Sequence, residues 1–236
     1  MPNVYPVSQR WLMDGFCWYA TRMVRKNFYF FGVDSSAMRS FASNQDVPLI
    51  VYANHPGWWD PIVAMLLCKK YFKTRDYFAP IDGESLRKYR VFRKLGYFGI
   101  EANSRKGSTE FLEMASHVLK SKNRSLWITP EGRFTDVRDY VQPLMPGLAH
   151  IAAKTDKVHC IPLAIEYVFI EERQPLLLCK FGSVIADSGP IRTSKDEWQS
   201  RLTEALRRTQ NELANNAIAK NWNAFDAVVR SKRCRL

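Results

Sequence analysis

In the segment Asn54-His55-Pro56-Gly57-Trp58-Trp59-Asp60-Pro61, a histidine and an aspartate stand with four residues between them behind the apolar run Leu49-Ile50-Val51-Tyr52-Ala53. An imidazole with an unperturbed pKa of about 6.5 accepts a proton at neutral pH, and a carboxylate bonded to its other nitrogen fixes its tautomer and steadies the charge that develops. The chemistry such a pair performs is activation of a hydroxyl or an amine. On one continuous helix, residues five apart point roughly 140° away from each other, so the two side chains meet only across a turn. Pro56-Gly57 supplies one. Asp60-Pro61 then reads as an N-cap followed by the first residue of a helix running through Ile62-Val63-Ala64-Met65-Leu66-Leu67. His55 would thus leave a strand end and Asp60 open a helix, at the edge where open α/β sheets place their ligands. The plainer alternative is a capping aspartate beside an incidental turn histidine.

A second polar block, Pro130-Glu131-Gly132-Arg133-Phe134-Thr135-Asp136, follows the strand-like run Ser125-Leu126-Trp127-Ile128-Thr129. If the two strands are neighbours, this loop lies beside the His55 loop, with Glu131 able to hold or orient and Arg133 to bind phosphate. Taken alone, the block reads more simply as a surface turn carrying a solvated ion pair.

Together the blocks resemble the glycerolipid acyltransferase superfamily, the 1-acylglycerol-3-phosphate O-acyltransferase-like proteins, over about residues 48–185. His55 and Asp60 match its His-x-x-x-x-Asp motif, and Pro130, Glu131 and Gly132 match the start of its Pro-Glu-Gly-Thr-Arg motif. Gly147 to His150 and Ile161-Pro162-Leu163 agree with two later blocks. Departures are present too. Gly57 stands where many members carry serine, Ile100-Glu101-Ala102 replaces the usual Ile-Asp-Arg with Arg105 and Lys106 a few residues on, and Arg133 comes one place early so that Phe134 takes the arginine position.

The resemblance implies direct acyl transfer from a thioester, either acyl-CoA or acyl carrier protein, to a lyso-lipid acceptor. It implies no covalent enzyme intermediate, no metal and no cofactor beyond the thioester co-substrate. In this reading His55 is the base and Asp60 its orienting partner, with an oxyanion donor near Gly57 or Trp58. Glu131, Gly132 and Arg133 position the acceptor, with Arg105 as a helper. A weakened phosphate clamp points away from lysophosphatidic acid and toward another lyso-lipid, an amino lipid or a glycosylated lipid.

Composition is consistent with such partners. Thirty-five Lys and Arg against 23 Asp and Glu give a net charge of +12 in 236 residues, which draws the chain to polyanions. From Tyr5 to Phe31, Trp and Phe alternate with Arg10, Arg22, Arg25 and Lys26, the mixture of an interfacial helix on an anionic membrane. The same helix could instead pack on the core. The longest stretch free of Asp, Glu, Lys and Arg, Tyr140 to Ala153, is only fourteen residues, too short to span a bilayer, which takes about 20. No signal-peptide pattern is present, so the expected location is cytoplasmic, peripheral on the cytoplasmic face of a membrane. The five scattered cysteines read as reduced and mostly buried. A lipid-binding protein without turnover is the competing class. Nucleic-acid binding, motivated by charge and aromatics, lacks any recognisable signature and is not expected.

The elements that must position these residues alternate between strand-like and helical patterns, which predicts an α/β fold: a mostly parallel central sheet flanked by helices, preceded by an amphipathic helical segment. The division expected is 1–34 for that membrane-facing segment and 35–236 for the acyltransferase domain. Within it, the pattern predicts a turn at Gly32-Val33-Asp34-Ser35, a basic helix over about 84–95, and amphipathic helices from Lys195 to Arg230.

Overall fold

A computed structural model describes residues 5–41, 47–101, 104–187 and 193–236. Strand β2 (Leu49–Ala53) is buried along its whole length. Because side chains alternate across a strand, Leu49, Val51 and Ala53 enter a core shared with helices α1 (Arg10–Asn27) and α2 (Asp60–Tyr71). Ile50 and Tyr52 enter a second core under α4 (Arg105–Leu119), α5 (Gly147–Lys154) and α6 (Lys195–Ile218). A strand apolar on both faces is what a parallel sheet between two helical layers requires, and this is the architecture.

Around β2 the sheet contains β1 (Phe30–Asp34), β3 (Asp76–Asp82), β4 (Tyr97–Ile100), β5 (Arg124–Ile128), β6 (His159–Val168), β7 (Leu176–Phe181) and β9 (Asp226–Arg230), in the order β4-β3-β5-β2-β6-β7-β1-β9, with the short β8 (Ile185–Ala186) on β6. From β4 to β6 all neighbours are parallel. β7 is antiparallel to β6, β1 parallel to β7, and β9 antiparallel to β1. The parallel pairing of β5 with β2 brings the Glu131 and His55 loops to the same edge of the sheet.

The α/β class and mostly parallel sheet stand as expected, and several boundaries do not. The N-terminal helix stops at Asn27, and Phe30 to Asp34, read as helix end and turn, form a strand between β7 and β9. Four consecutive aromatics at Phe28 to Phe31 suit a pleated, doubly buried surface better than a helix. α1 itself packs on α2 through Met13, Cys17, Ala20 and Val24. The basic segment is broken into a short helix, α3 (Gly83–Lys88), and a 3₁₀ turn, Arg90–Lys94. At the other end α6 stops at Ile218, Lys220 takes a left-handed conformation (φ 49°), and residues 226–230 join the sheet as β9. No described helix is long and apolar enough to cross a membrane. All five cysteines are free, four of them buried.

Candidate active site

His55 lies just beyond the end of β2 and Asp60 is the first residue of α2. Pro56 and Gly57 turn the chain between them, and the His55 Nδ1 to Asp60 Oδ2 distance is 2.6 Å. Asp60 is not the N-cap predicted for it. Trp59 occupies that place, its donor-only indole making no side-chain capping bond, and the Asp60 carboxylate is engaged elsewhere. Oδ2 also accepts the Gly57 backbone N–H at 3.0 Å, and Oδ1 accepts the Tyr167 hydroxyl at 2.5 Å. With Asp60 only 3 % exposed, these bonds are what make a buried carboxylate tolerable. Since a carboxylate only accepts, the His55 proton sits on Nδ1, and Nε2 is left as the nitrogen able to take another. The imidazole keeps partial access to solvent, at 19 % exposure.

The backbone of His55 is held at both its polar groups by the loop after β5. Its N–H donates to Glu131 Oε2 at 2.9 Å, and its carbonyl accepts from the Thr135 N–H at 3.0 Å. Glu131 is itself buried, and its second oxygen accepts from Arg207 of α6 at 2.9 Å. Arg207 also donates to Gln210 Oε1 and to the Gln142 carbonyl. Asn54 closes the other side, its amide both donating to and accepting from the Ile165 backbone on β6 at 2.9 and 2.8 Å. The loop can make its turn because Gly132 adopts φ 68°, where any side chain is strained.

Of the residues singled out in the sequence, His55, Asp60, Gly57 and Glu131 are thus brought together. The contacts of Gly57 and Glu131 differ from those expected. The Gly57 N–H is occupied by Asp60 and is not free to meet an oxyanion. Glu131, with both oxygens bonded inside the protein, braces the His55 backbone and does not face an acceptor. Trp58 stands beside the pair at 65 % exposure. Gly132 shapes its turn. Arg133 is exposed and bonded to Gln142 Oε1. Arg105 opens α4, behind β4, which β3 and β5 separate from β2. Ala102, in the second family block, lies outside the described residues. Sequence reasoning missed Tyr167, Asn54, Thr135 and Arg207. It also gave no role to Phe134, whose exposed ring lies 4.4 Å from the His55 ring. Among the described residues no cluster of His, Cys, Asp and Glu could hold a metal ion.

A family model described as Acyltransferase matches residues 37–166, more than half of the chain. The chain belongs to the acyltransferase family. The resemblance to the glycerolipid acyltransferase superfamily is therefore borne out. The acyltransferase carries His55, Asp60 and Glu131 inside the matched region, whereas Tyr167 follows it directly and Arg207 lies well beyond. No curated protein matches the chain.

Proposed function

We propose that the acyltransferase moves a fatty acyl chain from an acyl-CoA or acyl carrier protein thioester to the hydroxyl, or amine, of a lysophospholipid or related polar lipid. The observation that carries the reading is the Asp60-held His55, with Nδ1 bonded at 2.6 Å and Nε2 open. His55 Nε2 takes the acceptor proton as the acceptor oxygen attacks the thioester carbonyl. The C–S bond then breaks, and the departing thiolate takes that proton back from the imidazolium. No covalent enzyme intermediate is needed.

Two features support an acceptor whose reacting hydroxyl is not flanked by a phosphate. Phe134 puts an apolar ring against the imidazole at the place where the family pattern has arginine. Arg207, the cation paired with Glu131, spends both terminal nitrogens within the fold, on Glu131, Gln210 and the Gln142 carbonyl. The reading is tested by thiol release from palmitoyl-CoA and from acyl carrier protein thioester, with a panel of lysophospholipids, lyso-amino lipids and glycolipids. Acceptor-dependent release with a neutral or amino acceptor above that with lysophosphatidate is the expected result. The absence of release with every pair would sink the reading.

The acceptor would be met peripherally, at the anionic cytoplasmic face of a membrane. Support comes from the outer face of α1, where Trp11, Trp18 and Tyr19 are 72, 59 and 55 % exposed. The Arg22 guanidinium lies 3.7 Å from the centre of the Trp18 ring, and Arg25 and Lys26 are exposed one turn on. α1 ends at the catalytic edge, since Phe28 packs its ring 5.0 Å from Trp59 and 5.8 Å from Tyr167. Replacing both Trp11 and Trp18 by alanine is expected to weaken sedimentation with phosphatidylserine-containing vesicles by about tenfold or more, each buried aromatic being worth about 1.5–3 kcal/mol. Unchanged sedimentation would remove α1 as the contact face.

A further inference from the structure

We propose that Tyr167 is a positioning residue of the His55–Asp60 pair, its hydroxyl fixing the carboxylate and limiting how basic His55 becomes. The inference rests on the reading of His55 as base. Asp60 offers two oxygens. Oδ2 takes the His55 and Gly57 N–H groups, and Oδ1 takes Tyr167 at 2.5 Å. A carboxylate bonded at one oxygen only can rock about its terminal torsion while still hydrogen-bonded to Nδ1, so that the aim of the imidazole varies, and the phenol closes that freedom. It also draws charge from the carboxylate, so less is available to stabilise the imidazolium.

The phenol is held in turn. Tyr167 lies in β6, opposite Leu177 of β7, with Phe28 against its ring. On the remaining side is Gly57, where a Cβ would come within 3.1 Å of the Tyr167 ring. Gly57, where the family pattern has serine, therefore leaves the space that the tyrosine occupies. Burial, and then the facing Asp60 charge, push the Tyr167 hydroxyl far above its ordinary pKa, so it stays a donor throughout the working range. The other ionisable groups around the pair are few. From β7, Cys179 is kept neutral by burial and by Asp60. From the β5 loop, Glu131 meets the His55 N–H with Arg207 behind it.

The test is the titration of the His55 ring by proton NMR in wild type and in Tyr167→Phe. The chain has four histidines, and His55→Ala identifies the signal. Loss of the donated bond is expected to raise the His55 pKa by about half a pH unit or more, in the sense set by an unshielded neighbouring carboxylate. A packing role alone would lower the melting temperature and leave this titration in place. Gly57→Ala, which presses on the ring while keeping the hydroxyl, is expected to raise the same pKa and serves if Tyr167→Phe does not fold. A His55 pKa unchanged or lowered in the folded variants overturns the proposal. In turnover, kcat is expected to fall about five- to twentyfold with both KM values unchanged, and the acid limb of the pH profile to move up with the NMR value. A loss confined to KM would also overturn it. Should wild type transfer no acyl group to any acceptor, the functional reading fails while the titration still decides what Tyr167 does to the pair.

Discussion

His55→Ala is expected to lower acyl-transfer turnover by about 10²–10⁴-fold, the range spanned by removal of a positioned general base. The protein should still fold, because the imidazole is partly exposed and its contacts are to Asp60 and the Phe134 ring. Asp60→Asn is expected to fall in the same range for a different reason. An amide in place of the carboxylate can present an N–H to Nδ1, which forces the proton to Nε2 and removes the lone pair the acceptor needs, the tautomer error that a buried orienting aspartate prevents. Thioester turnover at saturating acceptor, with circular dichroism to confirm folding, checks both. Wild-type turnover in folded His55→Ala would remove the histidine from the mechanism.

Arg207→Ala is expected to be the most destabilising single change at the site. The Arg207 and Glu131 side chains are 11 and 1 % exposed, and removal of the guanidinium leaves a carboxylate buried without its cation. Breaking such a pair from one side costs about 3–5 kcal/mol, or roughly 10 °C of melting temperature at about 2–4 °C per kcal/mol for a chain of this size. Turnover falls with it, because Glu131 also holds the His55 backbone. Combining Glu131→Gln with Arg207→Met is expected to recover most of the loss, since the glutamine oxygen still accepts the His55 N–H and no charge is buried. Thermal melts of the two single variants and the double variant measure this. A double variant no more stable than Arg207→Ala would show that the cost lies in packing and not in the unpaired charge.

The parts of this site that were legible in the sequence are local. His55 and Asp60 are five apart, and the apolar run before them and the Pro-Gly turn between them fix where each must stand. β2, β5 and β7 were equally plain, as short apolar runs bounded by turn residues. Tyr167 and Arg207 were not, because each reaches the site only through tertiary pairing. Tyr167 arrives because β6 lies beside β2, and Arg207 because α6 packs across β6. No spacing in the sequence records either fact. β3 is not legible in the sequence for a related reason. Pro80 argues against a strand, yet it sits past Phe78, where pairing with β5 has ended and only β4 remains alongside. At the C-terminal end, Trp222, Phe225 and Val229 have a spacing that fits a helix as well as a strand, and the left-handed Lys220 that ends the helix carries no glycine to announce it.

The place of β1 in the sheet has a consequence for how the protein is made. All five of its residues are buried, and both its hydrogen-bonding partners, β7 and β9, are encoded far downstream. During synthesis Phe30 and Phe31 leave the ribosome long before either neighbour exists, so this strand waits with open edges while the parallel half of the sheet assembles without it. Closure of the sheet around β1 comes last, and a nascent chain stalled ahead of Asp226 presents an apolar, half-paired strand for a chaperone or another copy to capture.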